Sequence, residues 1–208
     1  MDVKTIIEWL ALVLLILAGI YTAYVIKTEK KTYLKNAKRK DFFEFTLLVP
    51  HWWGEVESAD QNTLTFKRLD TRYEWQATFH WLQSTPDQDI YELYKERINE
   101  RKILFDEEHA VIHNPHSFLE NPLIKEGLYE MVRLEGTATE DRSERLYYDA
   151  FLIRNLKTGQ YMFAESKSSV LNGLVEGPYF EEVMQRLALV SDISQEPQEP
   201  ITQNFDKD

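Results

Sequence analysis

The chain has 208 residues and a mass of 24.7 kDa, enough for one ordinary domain with appendages. A 43% apolar, 28% charged composition with only 7 Gly and 7 Pro excludes a disordered or collagen-like chain. With no Cys there is no disulfide, thiolate metal site or Cys nucleophile, and the net charge of −11 disfavours nucleic acid as a partner.

From Ile6 to Ile26 the chain is apolar, interrupted only by Glu8. As a helix those residues would measure about 31 Å, enough to cross the hydrocarbon core of a bilayer. Trp9 lies at one end and Tyr21 and Tyr24 at the other, where amphipathic rings prefer the interface. A cleaved signal peptide would need a basic start and small residues two apart before the cut, and neither is present. Residues 1–26 therefore read as an uncleaved, single-pass transmembrane anchor. Ala11, Ala18, Gly19, Thr22 and Ala23 cluster on one side at helical spacing, where another membrane helix can approach closely.

Residues 27–40 form a basic stalk: Lys27, Lys30, Lys31, Lys35, Lys38, Arg39 and Lys40 stand against Glu29 alone. Cationic flanks of a span stay in the cytoplasm, so the large domain is expected there, with the N-terminus outside. The same cations attract anionic lipid headgroups. The stalk sums to +6 and residues 41–208 to −16, so an acidic body sits on a basic neck.

Beyond the stalk the period changes. Phe42–Val49 reads as a strand stopped by Pro50, with short strands following over 55–58 and 63–69 around an Ala59–Asn62 turn. Tyr73–Leu82 alternates Tyr73, Trp75, Ala77, Phe79 and Trp81 against Glu74, Gln76, Thr78 and His80, one buried and one wetter face. Ser84-Thr85-Pro86-Asp87 reads as a helix start, and the helix is expected from Pro86 to Leu104. A looser region, Asp106–Gly127, carries His109, His113 and His116. Strands return over 129–135, 145–154 and 161–166, and Gly177-Pro178 opens a final helix to Val190. The polar, acidic tail from Ser191 reads as disordered.

Hairpins throughout predict an antiparallel sheet with helices packed on it, an α+β domain over residues 41–190. The segment Phe43-Glu44-Phe45-Thr46-Leu47-Leu48-Val49-Pro50-His51-Trp52-Trp53 resembles the opening strand of the PsbP-like and Mog-like superfamily. The order of hairpins, helix, strands and a closing Tyr179-Phe180-Glu181-Glu182-Val183 helix is similar to it over about 41–190. The resemblance implies an α/β/α sandwich and a non-enzymatic accessory, chaperone or assembly factor. Many members of that superfamily are exported, which pulls against the charge asymmetry.

Chemical motifs are sparse. There is no Gly-rich phosphate loop and no nucleophile elbow. Asn114 and Pro115 break any register that would bring His109, His113 and His116 together, so no metal, cofactor or catalytic site is expected. Among the aromatics, Trp75 and Trp81 read as core and Trp52 as closing the sheet end. Trp53 is left as the exposed contact for a partner. The expectation is a non-catalytic accessory or assembly subunit that binds integral membrane protein subunits. A membrane-tethered chaperone using the sheet face as a client groove is the alternative.

Overall fold

The structure, a computed structural model, describes residues 3–68, 75–85, 88–113, 121–141 and 144–193. Helix α1 spans Val3–Asn36, well past the apolar run, because four of residues 27–36 are Lys, a good helix former, and none is Gly or Pro. Only Ala37 separates it from β1 (Lys38–Phe42). The expected stalk is thus not a separate segment: its first ten residues continue α1 and its last three open a strand.

β1 turns back through Phe43 and Glu44 onto β2 (Phe45–Val49), with Phe42 opposite Phe45. Phe43 takes φ 52, a left-handed turn conformation unusual for a bulky residue. Lacking Gly, Asn or Pro, this turn reads in sequence as continuous strand. β10 (Ala188–Leu189) pairs with the other edge of β2 and completes a three-stranded sheet.

The second sheet has seven strands. Starting from one edge they are β3 (Trp53–Val56), β4 (Thr63–Arg68), β5 (Trp75–Gln83), β9 (Gln160–Ser168), β8 (Glu144–Asn155), β7 (Tyr129–Glu140) and β6 (Ile103–His113). Every neighbouring pair is antiparallel. Alternation on β5 holds in part: Trp75, Ala77 and Phe79 are buried on one face with Trp81 partly so, while on the other Gln76 and His80 stay partly open but Thr78 is buried. Tyr73 lies outside the described residues.

Helix α2 spans Ile90–Glu100 and is shorter at both ends than its expected range. Its cap is Asp89, whose carboxylate accepts the N–H groups of Tyr91 at 2.9 Å and Glu92 at 3.1 Å. Arg101 caps its C-terminus, Lys102 follows at φ 56, and Ile103 and Leu104 then enter β6. A one-turn helix, α3 (Pro122–Lys125), precedes β7. Helix α4 runs Val170–Gln185, starting two turns before the expected Gly177-Pro178 and carrying Pro178 in its interior. A short α5 (Val190–Ile193) takes in Ser191, the expected start of the disordered tail, and residues 194–208 lie outside the described range.

The helices cover opposite faces of the large sheet. Ile90, Leu93, Tyr94 and Ile98 of α2 pack on Val132, Ala150, Leu152 and Phe163. Phe180, Val183 and Met184 of α4, with Phe45 and Leu47 of the small sheet, pack on Phe79, Phe151, Met162 and Ala164. The domain is the expected α+β sandwich around an antiparallel sheet. Helix α4 and the small sheet cover one face of the large sheet, and α2 covers part of the other.

The membrane span has no such support. Among the described residues no helix is long and apolar enough to cross a membrane. Side chains of residues 3–8, Ala11, Thr22, Ala23 and Ile26 lie outside them, and the uninterrupted apolar stretch Leu12–Tyr21 would measure about 15 Å.

Candidate functional site

Three features carry the polar and aromatic chemistry of the molecule. The first is the junction between α1 and the domain. Tyr33, on the last turns of α1, is only 2% exposed. Its hydroxyl donates to the Leu48 carbonyl of β2, and its ring meets Tyr179 of α4 edge-on at 5.5 Å and Trp52 at 6.2 Å. Burial foremost, then the nearby Glu182 carboxylate, pushes the phenol well above its ordinary range, so it remains a neutral donor. One buried tyrosine thereby seats the long helix on the domain.

The second is Glu176 of α4, 1% exposed. Its Oε2 accepts Trp53 Nε1 at 2.9 Å and Trp52 Nε1 at 3.3 Å, while Oε1 pairs with Arg68. A carboxylate so deep is tolerated because it is both charge-paired and hydrogen-bonded. This corrects the expected role of Trp53. It is 2% exposed, its ring lies 4.3 Å from that of Trp75, and its indole N–H is spent on Glu176. As the first residue of β3 it points into the core. Its neighbour Trp52 is the one left half-open, over Tyr33 and Tyr179. Sequence alternation cannot choose between adjacent tryptophans in a turn, and the deciding residue lies 123 positions away.

The third feature is a pair of ion clusters, one on each sheet face. On the α4 face, Arg133 of β7 donates to both oxygens of Asp149 on β8 at 2.9 Å, and to Glu135 at 2.7 Å. Its guanidinium also lies 3.3 Å from Glu181 and 4.8 Å from the Phe151 ring centre. Asp149 is fully buried, and burial foremost raises its carboxyl to about 6 against the pull of Arg133, helped by repulsion from the Glu135 and Glu181 carboxylates. On the α2 face, Glu165 of β9 accepts His80 Nε2 at 3.1 Å, Arg101 Nε at 2.9 Å and the Tyr148 hydroxyl at 2.5 Å. Burial alone would raise this carboxyl, yet the His80 hydrogen bond and the Arg101 charge outweigh it and hold it at about 2. Asp149, Glu165 and Glu176 are each held by fixed donors, an arrangement suited to pinning strands and helices in register.

The remaining expected site residues fall as follows. Ala18 and Gly19 are exposed on α1, while Ala11, Thr22 and Ala23 have side chains outside the described set. Lys27, Lys31 and Lys35 are exposed on α1, and the Lys30 side chain is not described. Lys38 and Arg39 are exposed on β1, where Arg39 pairs with Asp41 at 3.2 Å. Lys40 is half-buried and pairs with Glu55 of β3 at 2.7 Å. Three of the seven cations thus serve a sheet edge, where charge discourages pairing with another strand. His109 and His113 lie on β6, their side chains and all of His116 outside the described residues. Among the described residues no group of three His, Cys, Asp or Glu is placed to hold a metal.

No protein family's sequence profile matches the chain, and no curated protein matches it. Solved structures do. The Ran-binding protein Mog1p of Saccharomyces cerevisiae is similar at 9% identity and TM-score 0.52, over 74% of this chain and 96% of that one. A point mutant of Mog1 is similar over the same shares, with TM-score 0.50. Cyanobacterial PsbP (CyanoP) from Synechocystis aligns at 12% identity and TM-score 0.49, over 74% of this chain and 93% of that one. At these identities the likeness shows fold alone. The chain has the fold of Mog1p, as the resemblance over residues 41–190 implied.

Proposed function

We propose that this protein is a non-catalytic accessory or assembly subunit of a membrane protein complex, held at the bilayer by α1, with its acidic domain on the cytoplasmic side. The observation that carries the reading is the exposure of α1. Leu14 is 65%, Leu15 73% and Ile16 54% exposed, three successive residues that point in different directions around the helix. A helix made for water buries one stripe and exposes a polar face; this one is apolar all round. Each such side chain left in water forgoes about 1.5–3 kcal/mol of burial. The Ile6–Ile26 run and the cations that follow it supply the length and the orientation signal.

A role in binding rather than catalysis is supported by the clusters described above, whose carboxylates are engaged by fixed partners, and by the fold shared with a Ran-binding protein. The −16 charge of residues 41–208 favours protein partners with basic surfaces. Gentle-detergent purification of the full chain, followed by mass spectrometry, tests the reading. Stoichiometric membrane proteins should co-purify with the full chain and be lost when residues 1–26 are removed. A full chain that fractionates with soluble proteins and keeps the same partners without α1 would refute it.

A further inference from the structure

We infer that the N-terminal end of α4 is a binding site for a phosphate group, received by the N–H groups of the first helical turn together with the indole N–H of Trp75 and the side-chain amide of Asn172. The site is separate from α1 and stands whether or not that helix is an anchor.

The first turn of α4 lies close on the large sheet. Ser168, the last residue of β9, stands opposite Trp75 of β5 on one side and Tyr147 of β8 on the other. Residues directly opposite one another across a sheet share a face, so this row of three crosses the sheet on the α4 side. Gly173 approaches the row so closely that a Cβ there would strike Tyr147. At the other end of the row, the Trp75 ring lies 4.3 Å from that of Trp53, whose indole N–H reaches Glu176 of α4 at 2.9 Å. Trp75 is thus placed under the opening turns of α4, and it is only 2% exposed.

Unmade hydrogen bonds concentrate at this end of the helix. Among the described residues four buried side-chain polar atoms have no partner, and two of them are Trp75 Nε1 and Asn172 Nδ2. Buried polar groups are paired in the great majority of cases, so two orphans at one helix end need an explanation. Asn172 is the third residue of α4, a position from which a side chain reaches back toward the cap. Ser169 occupies the cap position, yet its side chain makes no bond to the first turn. The N–H groups of Val170, Leu171 and Asn172 therefore lack the acceptor that a cap supplies.

Every one of these groups is a donor. With 16 residues, α4 also brings the positive end of its dipole to the same place. A compact anion with several acceptor oxygens completes such a set, and a phosphate group is one. Glu176, one turn on from Asn172, does not oppose it, because Arg68 pairs with its charge and two indoles bond to Oε2. Ser169 is exposed and Val170 partly so, which gives a ligand its way in.

Indole N–H resonances read the site directly, and the chain has only five Trp. The full chain, isotope-labelled in maltoside micelles, would be titrated with sodium phosphate against sodium chloride at equal ionic strength, with Trp75→Phe assigning the Trp75 signal. A second titration would add phosphatidylglycerol to the micelles. The expected result is a saturable shift of the Trp75 resonance with one of these probes and none with chloride, and a melting temperature that rises with the same probe. A response to free phosphate assigns a soluble phosphate ligand, and a response to phosphatidylglycerol alone assigns a lipid headgroup. Asn172→Asp removes the amide donor and places a carboxylate where the dipole favours one, so it should fold and weaken phosphate binding by about tenfold or more. No saturable Trp75 shift with either probe overturns the site, and so does a shift that Asn172→Asp leaves unchanged.

Discussion

Gly173→Ala tests how α4 is seated. A Cβ at Gly173 would stand 2.3 Å from Cγ of Tyr147 and 2.4 Å from its Cβ and Cδ1. Ordinary contact needs more than an ångström beyond that, and the obstructing atoms are the root of the side chain rather than its mobile tip. In an open helix this substitution would stabilise by about 1 kcal/mol. Here the overlap forces either α4 away from β8 or the Tyr147 ring out of place. The second route breaks the 2.7 Å bond from the Tyr147 hydroxyl to Glu135. Overpacking of this kind costs about 1–3 kcal/mol, and the lost hydrogen bond adds about 1 kcal/mol, so a net loss of about 1–3 kcal/mol is expected. Urea titration of a chain lacking residues 1–26 reads this directly. Tyr147→Ala should remove most of the penalty in the double variant, giving a coupling of at least about 1 kcal/mol. A Gly173→Ala chain as stable as its parent would refute the packing argument.

Removing residues 28–37 from a chain that begins at Thr28 should cost about 2–4 kcal/mol, and Tyr33→Ala should reproduce most of that loss, since the ring and its bond to Leu48 go together; equal urea midpoints would show that Tyr33 seats nothing. Glu165 has a folded pKa of about 2 against an ordinary value of 4.5, so the stability it adds is present above about pH 4.5 and is lost as pH falls toward 2. The parent should therefore lose about 2 kcal/mol more than Glu165→Gln between pH 5 and pH 3, and parallel pH profiles would contradict the assignment. A green fluorescent protein fused after Asp208 should fluoresce and an alkaline phosphatase fusion should be inactive, with Gln at Lys30, Lys31, Lys35, Lys38, Arg39 and Lys40 weakening that preference. Active phosphatase in the unmodified fusion would place the domain outside.

Much of the sheet was legible because period-two alternation is strong where one face is apolar, as on β5, and because Lys157-Thr158-Gly159-Gln160 marks the hairpin between β8 and β9 with Gly159 at φ 70. Element ends were less legible. Pro178 reads as a helix start, yet it sits inside α4, whose earlier turns are fixed by Gly173 against Tyr147, a contact between segments far apart in the chain. The Pro86 signature reads as a cap, but Asp89 reaches the free N–H groups and takes the role. The junction was the least legible part. Tyr33 looks like one aromatic in a charged stalk, and its burial depends on Leu48, Trp52 and Tyr179 arriving from three other segments. Trp53 was misplaced for the same reason, because Glu176 has no local signal as its acceptor.

α4 is the element that turns these separate contacts into one mount. Gly173 lets it lie against Tyr147, Glu176 ties it to the β3 corner through Trp53 and to β4 through Arg68, Tyr179 holds α1 through Tyr33, and Phe180 fills the core against Phe79 and Phe151. A flexible stalk of 14 residues would let the domain wander over about 20 Å. Instead a single residue, Ala37, separates α1 from β1, and the last turns of α1 are clamped. With the helix and domain held in fixed relation, a partner touching both gains from the second contact only if its own surfaces match that geometry. Selectivity for such a partner would then depend on the angle set at Tyr33, which fits a chain with a modest inventory of chemical motifs and an elaborate junction.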